Sequence, residues 1–463
     1  MNAGDKEYPV VSQLMTGRFE AKDEGRTTNC GGQVIRPSSF VFRRWPMYLL
    51  LFIALLLAGC GGGRATPTPE PITINFAVRE KIADYQALAT DFQLSHPGIL
   101  INLIDIDIFR GEGIAAIDTM EVDAVRWGTD YLTAERIEQI VPLDEVLEAD
   151  DKLSGPDLYP GALKALQLQG VQLGVPAGID FAVGYYNAPR FKNASVTPPA
   201  VDWTQDDLLA DATAVNSTGD ANAVNFTYGF CSLPNGADPV YFTYLFGGRL
   251  FDGLPEPTAP TFNEPANVEA IQWYTSLRTE YGVTPDPDEI RRAFRRGLLY
   301  EAIIRGKCGL WFGQFSDRGG KAWPSEWEAE GVMLPLPRIR APFALLQVDG
   351  YYILEQSKHR KEAWDWVRFL LDHQEAAGFM LPPFQSQTIS SEYAGRVGKD
   401  VAAVARLLST TAIVLPAGAD PILEQSIALY VGAIDKVLSG EMDVETALND
   451  AQVQAEALFA PRE

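Results

Sequence analysis

The pattern of apolar and polar residues between positions 72 and 125 predicts alternating strands and helices. Ile72–Val78 alternates apolar and polar side chains, as expected of a strand. The following residues have the spacing of one helix face: Ile82, Tyr85, Leu88, Ala89 and Phe92. His96-Pro97-Gly98 ends that helix, and the apolar run Ile99–Ile108 predicts a second strand. A helix over Gly113–Met120 and a third strand at Val122–Val125 complete a pattern typical of an α/β domain with a parallel sheet.

An earlier apolar run has the features of a secretory signal. Arg43 and Arg44 precede the 12 uncharged residues Met47–Ala58, and small residues lead to Cys60. The run is short for a bilayer span, which needs ~20 residues. Leu57-Ala58-Gly59-Cys60 resembles the bacterial lipobox, in which the cysteine is lipidated and becomes the new N-terminus. We therefore expect a mature protein that begins at Cys60 and is tethered outside the cytoplasmic membrane; the alternative is a single N-terminal transmembrane anchor.

The residues on either side of this signal complete the expected N-terminal organisation. Residues 1–40 are polar and mixed in charge, unlike a signal n-region, which makes Val41 a candidate true start. The Gly-, Thr- and Pro-rich stretch after Cys60 predicts a flexible, extended tether. We assign residues 1–59 to a leader with a lipoprotein signal peptide and residues 60–71 to the tether.

Length and charge restrict the class of protein. The remaining chain is too long for one small core, and two domains are the natural expectation. The formal net charge is −23, which argues against nucleic acid as a partner and disfavours strongly anionic ligands.

Cysteine and histidine offer little chemistry. Cys231 and Cys308 would lie in an oxidising compartment, where they could form a disulfide or remain two buried thiols. The three histidines lie far apart in sequence, and no metal-type Cys/His cluster is present. We therefore expect no catalytic residue, metal or cofactor.

A collinear set of short motifs runs from residue 157 to residue 448. The set comprises Asp157-Leu158-Tyr159, Gly174-Val175-Pro176, Tyr185-Tyr186-Asn187, Asp202-Trp203-Thr204, Gly247-Gly248, Thr261-Phe262-Asn263-Glu264-Pro265, Gly306-Lys307, Leu334-Pro335-Leu336-Pro337, Asp349-Gly350-Tyr351, Ser357-Lys358-His359, Leu438-Ser439-Gly440 and Ala447-Leu448. In this order they resemble the extracellular solute-binding proteins of ABC importers that take up sugars. The resemblance covers nearly all of residues 72–463.

The resemblance implies a periplasmic-binding-protein-like α/β fold with two α/β lobes, a central ligand cleft and multiple crossover strands. We place the N-terminal lobe at 71–184 plus 302–345 and the C-terminal lobe at 185–301 plus 346–463. Such lobes close on a ligand by hinge bending. The resemblance also implies a monomer and two partners, a small-molecule ligand and the membrane subunits of a permease.

Aromatic and polar residues at the predicted strand ends are the candidate ligand contacts. A neutral sugar needs flat aromatic surfaces for its C–H faces and polar groups for its hydroxyls. The candidates are Arg79, Trp127, Asp130, Asp180, Tyr228, Trp311, Gln314, Asp349, Gly350 and Tyr351. In the family, the loop that matches Gly350-Tyr351 often lines the ligand cleft.

Several charged and aromatic residues allow a second interpretation. If Arg126 or Arg79 points into the cleft, the ligand carries a carboxylate or phosphoester. The arginines at 291, 292, 295 and 296 predict a solvated helix face. Trp366 and Phe369 share a helix face and predict lobe core, although Trp364 and Trp366 could also form a stacking pair.

These observations favour a lipid-anchored receptor that captures a sugar or oligosaccharide and delivers it to an ABC permease. One alternative is a solute sensor or scaffold lipoprotein, which would use the same fold. The other is a surface glycoside hydrolase, which needs two carboxylates about 5–9 Å apart.

Overall fold

The computed structural model describes residues 70–460 except for 80–81, 107–112, 160, 218–222, 224–225, 233–235, 255–256, 295–298, 321–329, 341–342, 410–411 and 415–420. The predicted leader, Cys60 and nearly all of the tether lie outside the described residues. No helix in the described part is long and apolar enough to cross a membrane.

The strands build one large sheet and one small hairpin. In chain order they are β1 (Ile72–Arg79), β2 (Ile99–Ile106), β3 (Ala124–Gly128), β4 (Gln167–Leu168), β5 (Val171–Gln172), β6 (Val175–Asn187), β7 (Tyr228–Cys231), β8 (Cys308–Gln314), β9 (Gly331–Leu334), β10 (Phe343–Ile353) and β11 (Ala412–Val414). The large sheet follows the order β2-β1-β3-β10-β6-β8-β7, with β11 paired to β10 and β9 paired to β6.

The helices cover this sheet. They are α1 (Ile82–Ser95), α2 (Ile114–Ile117), α3 (Asp144–Glu148), α4 (Asp151–Ser154), α5 (Ala188–Ala194), α6 (Gln205–Val215), α7 (Asp238–Leu245), α8 (Pro265–Thr279), α9 (Pro287–Ala293), α10 (Leu299–Ile304), α11 (Arg360–Asp372), α12 (Gln385–Thr388), α13 (Ser391–Val397), α14 (Lys399–Leu408), α15 (Pro421–Leu438) and α16 (Val444–Phe459). Local sequence sets several of their starts; for example, Thr204 and Asp207 form a capping box at α6.

The predicted parallel arrangement of the first three strands is confirmed. β1 lies between β2 and β3, and Phe76 is opposite both Leu103 and Ala124. The third strand begins at Ala124, two residues later than predicted, because Asp123 instead receives the backbone N–H of Asn75 on its carboxylate at 2.8 Å. The predicted Gly113–Met120 helix is confined to α2.

Two long antiparallel strands, β6 and β10, run through the middle of the sheet. β10 pairs with β3 at its end near Ile353 and with β11 at its start near Phe343. β6 pairs with β10 through Val175 and with β9 through Asn187. Nearly every residue of β6 is buried, as expected of a strand covered on both faces.

Three groups of buried side chains fill the molecule. The first core joins β1, α1 and α11, where Trp366 packs edge-on against Phe76 and Phe92. The second core lies among α6, α7, α8, α15 and α16. A third group, the joining core, includes side chains from β3, β6, β8 and β10 and connects the other two. The prediction that Trp366 and Phe369 belong to a core is confirmed, since their rings stack at 5.8 Å.

The packing differs from the expected lobe boundaries in two places. The sequence interpretation placed residues 346–463 in the C-terminal lobe, but α11 contributes to the first core with β1. It placed residues 302–345 in the N-terminal lobe, but β8 pairs with β7 and contributes Leu310 and Phe312 to the second core. The physical reason is that β6 and β10 each extend from the first core to the second. The chain therefore passes from one core to the other in the middle of a strand.

Candidate functional site

The first half of the candidate site lies where β1, β3 and β10 meet. Arg79 ends β1 and Trp127 is the penultimate residue of β3, and the carboxyl ends of parallel neighbours share one sheet edge. Antiparallel β10 places Asp349 opposite Gly128 and Gly350 opposite Trp127. These strands therefore bring four sequence-predicted residues together.

Contacts within this group join its charges to its aromatic ring. The Arg79 Nη2 atom lies 3.7 Å from Asp349 Oδ1, and the Arg79 guanidinium lies 5.2 Å from the centre of the Trp127 ring. Trp127 Nε1 donates to Asp130 Oδ2 at 3.2 Å. Trp127 is only 3% exposed, whereas Asp130 is exposed. The indole is therefore held in a fixed orientation between a cation and a carboxylate.

Arg126 does not point toward an open cleft. Its Nη1 donates to the Tyr85 hydroxyl at 2.6 Å and to the Ala376 carbonyl at 2.7 Å, and its Nε donates to Asp349 Oδ2 at 3.2 Å. Burial opposes its charge, but the nearby Tyr85 and Asp349 raise the pKa of Arg126 above its usual value. The guanidinium thus fastens the segment at Ala376 to the sheet.

The local charge of this half is balanced. Arg79 and Arg126 both lie beside the Asp349 carboxylate. Asp130 adds a second carboxylate, which accepts from the Trp127 N–H. The sequence predicted an anionic ligand only if Arg126 or Arg79 points into the cleft. For Arg126 this condition is not met, because its N–H groups donate to other parts of the protein. A balanced group with exposed carboxylate oxygen suits a ligand that carries hydroxyls and no net charge.

Gly350 and Tyr351 have structural surroundings. A β-carbon at Gly350 would lie 2.7 Å from the Tyr352 ring, so glycine lets Tyr352 reach the Gly128 carbonyl, to which its hydroxyl donates at 3.2 Å. Tyr351 points to the opposite face, where it is 1% exposed and its hydroxyl lies 3.2 Å from that of Tyr85. The structure thus places Tyr351 in the first core.

The second half lies where β6 meets the end of β8. Asp180 on β6 is 6% exposed, and its carboxylate accepts from Ser316 Oγ at 2.5 Å and from the Ser316 backbone N–H at 3.0 Å. Burial raises the pKa of Asp180 to about 7, against the opposing effect of the Ser316 hydrogen bonds. Gln314 lies just before this serine, and its Nε2 donates to the Tyr241 hydroxyl at 3.0 Å.

Trp311 and Tyr228 lie deeper than the other candidates. Trp311 is 1% exposed and stacks on Tyr185 at 5.5 Å. Tyr228 is also buried and pairs with Cys308 across β7 and β8. The question of Cys231 and Cys308 is answered here, since the two sulfurs form a disulfide between these strands. Both aromatic residues and both cysteines belong to the joining core.

The two halves are neighbours in the sheet. Asp180 is opposite Gln347 on β10, and Asp349 is two residues further along that strand, opposite Gly178. A β-carbon at Gly178 would approach Met380 and the Arg126 guanidinium within 3.3 Å, so glycine makes room for both. The candidate site thus spans the two long strands that connect the cores.

Sequence reasoning missed three residues of this region: Ser316, Tyr241 and Asp238. Burial raises the pKa of Asp238 to about 7. Polar residues at the end of β8 and just after it, Gln314 and Ser316 to Arg318, carried a usable signal, because polar residues that follow a buried strand often form a site. Nothing in the sequence marks Tyr241, which lies 73 residues from Gln314.

Metal ligation has no support in the described residues. No group of three or more His, Cys, Asp or Glu side chains among them could hold a metal ion.

Comparisons with known proteins agree with this architecture. A sequence profile described as "Bacterial extracellular solute-binding protein" matches residues 79–377. An uncharacterized ABC transporter extracellular-binding protein of Pyrococcus horikoshii is 23% identical over 368 residues, which are 71% of this chain and 76% of that protein.

Solved structures share the fold. An ABC substrate-binding protein from Listeria monocytogenes, in complex with cycloalternan, has a TM-score of 0.67 and 18% identity, covering 84% of this chain and 99% of its own. A sugar transporter protein from Rhizobium etli in an open conformation has a TM-score of 0.65 and 18% identity, covering 83% and 99%. The predicted periplasmic-binding-protein-like α/β fold is confirmed.

Proposed function

Because the chain belongs to the bacterial extracellular solute-binding protein family, we propose that it captures a sugar or oligosaccharide and delivers it to an ABC permease. Family membership also indicates a location outside the cytoplasm. The protein acts in this proposal by binding alone, and anchoring through lipid on Cys60 keeps it near the permease. It works as a monomer with two lobes.

The balanced group of Arg79, Trp127, Asp130 and Asp349 is the observation that carries the ligand class. It combines an oriented indole with carboxylates that accept from hydroxyls, and its cations are already paired. A neutral saccharide presents the complementary features, namely apolar C–H faces and hydroxyl donors. Gln314 supplies an amide from the other half of the site. Its Oε1 atom is buried and accepts no hydrogen bond among the described residues, so a ligand hydroxyl could donate to it.

Hinge closure is the proposed movement. β6 and β10 connect the first and second cores, and the site lies on these strands. A ligand that contacts both halves binds the closed form more tightly than the open form. Only that difference in affinity shifts the equilibrium between the open and closed forms. Trp127, Trp311, Tyr228 and Tyr351 are buried as the structure stands, so opening would be required before any of them could touch a ligand.

Thermal unfolding of the full chain against a ligand panel tests this proposal. The panel contains neutral mono- to tetrasaccharides, sugar phosphates, uronates, amino acids and polyamines. A ligand in about hundredfold excess over its dissociation constant stabilises the folded state by ~3 kcal/mol. We expect the midpoint to rise with a neutral saccharide.

A matched pair of variants locates the binding. Trp127→Ala should abolish the saccharide-dependent shift, whereas Trp364→Ala, which removes a half-buried indole on α11, should keep it. A shift only with charged solutes would overturn the sugar assignment. Loss of the shift in both variants would show that the response does not come from the proposed site.

A further inference from the structure

Asp180 was a predicted ligand contact, yet its oxygens are already used within the protein. Oδ1 accepts from the backbone N–H groups of Phe181 at 3.1 Å and Ser316 at 3.0 Å, and Oδ2 accepts from Ser316 Oγ at 2.5 Å. We call this pair of residues the Asp180–Ser316 clasp. Three donors thus occupy most of the roughly four lone-pair sites of a carboxylate that is 6% exposed, before any ligand arrives.

The clasp closes the turn that carries Gln314. Ser316 lies in the 3₁₀ segment Phe315–Gly320, directly after β8, and Phe315 stacks on Phe181 at 5.1 Å. The Gln314 backbone is held from both sides, because its N–H donates to Asp317 Oδ2 at 2.8 Å and its carbonyl accepts from the Tyr185 hydroxyl at 2.7 Å. Asp317 and Tyr185 thus fix the Gln314 backbone, and the clasp fixes the segment that carries Asp317.

Resting on the function proposed above, we propose that Asp180 is a positioning residue, which fixes Gln314 for the ligand through Ser316 and does not itself touch the ligand. Asp180 can hold Ser316 in this way whether its side chain is charged or protonated. A protonated Asp180 would donate from Oδ2 to Ser316 Oγ, and a hydroxyl can accept as well as donate. Asparagine offers the same donor and acceptor in the same shape, whereas alanine offers neither.

The charged and titratable groups around Asp180 come from several elements. Asp317 and Arg318 lie on the clasped segment, Tyr185 lies on β6, and Tyr241 lies on α7; all four interact electrostatically with Asp180. Burial is the largest influence on Asp180 and raises its pKa. The residue therefore changes charge near neutral pH, a change that the clasp geometry tolerates.

The test uses four single variants and one double variant of the full chain. Asp180→Ala breaks every bond of the clasp, and Ser316→Ala breaks the Oγ bond while its backbone N–H still donates to Asp180. Asp180→Asn preserves the clasp. Ser386→Ala is the matched control, since Ser386 donates to Asp157 by the same two bonds, from Oγ at 2.5 Å and from N–H at 2.8 Å, at an exposed position. Affinity is measured for the saccharide that gives the largest thermal shift, and amide hydrogen exchange is measured for residues 314–318 without ligand.

We expect Asp180→Ala and Ser316→Ala each to weaken affinity on the order of tenfold, the scale of one lost hydrogen bond to a charged group. The double variant Asp180→Ala/Ser316→Ala should lose no more than Asp180→Ala alone, because the Ser316 hydroxyl acts through its bond to Asp180. Asp180→Asn and Ser386→Ala should bind as the wild type does. Exchange at residues 314–318 should rise only in the two clasp-breaking variants.

Two results would overturn the proposal. If Asp180→Ala and Asp180→Asn both lose affinity while Ser316→Ala keeps it, Asp180 contacts the ligand directly. If exchange at residues 314–318 is unchanged in Asp180→Ala, which removes every bond of the clasp, the clasp does not hold this segment. The exchange measurement needs no ligand, so it decides on the clasp even if no saccharide binds, in which case the proposed function fails by itself.

Discussion

Asp349 and Asp180 lie on neighbouring long strands, but different kinds of groups surround the two carboxylates. Asp349 is placed between two guanidinium groups, with Arg126 at 3.2 Å and Arg79 at 3.7 Å. Asp180 is held by a hydroxyl and two backbone N–H groups. Two cations surround the carboxylate in the first half of the site, whereas burial raises the pKa of Asp180 in the second half to about 7. The first half should therefore control ligand charge, and the second half should control geometry.

Among the changes that test this comparison, removal of Arg126 should lower the stability of the protein most. Arg126→Met leaves Asp349 with one fewer cation and takes one hydrogen-bond donor each from the Tyr85 hydroxyl and the Ala376 carbonyl. Loss of one partner of a buried ion pair typically destabilises by about 3–5 kcal/mol. Urea unfolding should show a correspondingly lower midpoint. Arg79→Met is the matched control at 16% exposure, and an equal loss there would show that burial of Arg126 is not the cause.

Reduction of the Cys231–Cys308 disulfide should have the next largest effect, and it should act on the second half. The linkage joins residues 77 apart in sequence, so its loss should lower stability by about 2–4 kcal/mol. Cys231→Ser/Cys308→Ser tests this by thermal unfolding. Amide exchange should rise in β7 and β8, and comparable increases in α1 would contradict a local role.

The charge change at Asp180 gives a pH-dependent prediction. Its pKa is about 7 in the folded protein and near 3.8 when unfolded, so the folded state holds more protons between these values. The contribution of Asp180 to stability is therefore present below pH ~4 and is lost as pH rises through 7. Asp180→Asn removes this loss. Relative to wild type, its stability should improve by at most ~1.4 kcal/mol per pH unit from pH 5 to 7. Equal pH profiles for the two proteins would contradict the raised pKa.

Ligand selectivity should show the smallest effect. Asp349→Asn keeps the shape of the side chain but leaves Arg79 and Arg126 with less compensation. We expect affinity for a uronate or sugar phosphate to rise roughly tenfold relative to its neutral analogue, about 1.4 kcal/mol. Titration calorimetry with matched ligand pairs measures this ratio. Asp180→Asn is the comparison variant, and the same change of ratio there would remove the distinction between the two halves.

The sequence predicted the parts of this molecule that depend on local pattern. The alternation in Ile72–Val78 and the helical spacing of Tyr85 and Phe92 correspond to β1 and α1. The strand ends also singled out Arg79 and Trp127 as candidate site residues. These features follow from periodicity, which a single sequence displays directly.

Long-range pairing was beyond such reasoning. The inward direction of Arg126 depends on the Ala376 carbonyl, 250 residues away, and the clasp depends on Ser316, 136 residues from Asp180. The lobe boundaries had the same difficulty. Crossover strands were expected, but the residues at which the chain changes lobes depend on the pairing of β6 with β10. Whether Cys231 and Cys308 pair was left open for this reason also.

The ladder between β6 and β10 has a thermodynamic consequence. Residues from Leu346 to Tyr351 pair with Phe181 to Val175, and the same two strands contribute side chains to all three groups of the interior. Unfolding one end of this ladder would remove hydrogen-bond partners and apolar contacts from the other end. Two cores joined in this way should melt as a single cooperative unit, with a calorimetric enthalpy equal to the van't Hoff enthalpy.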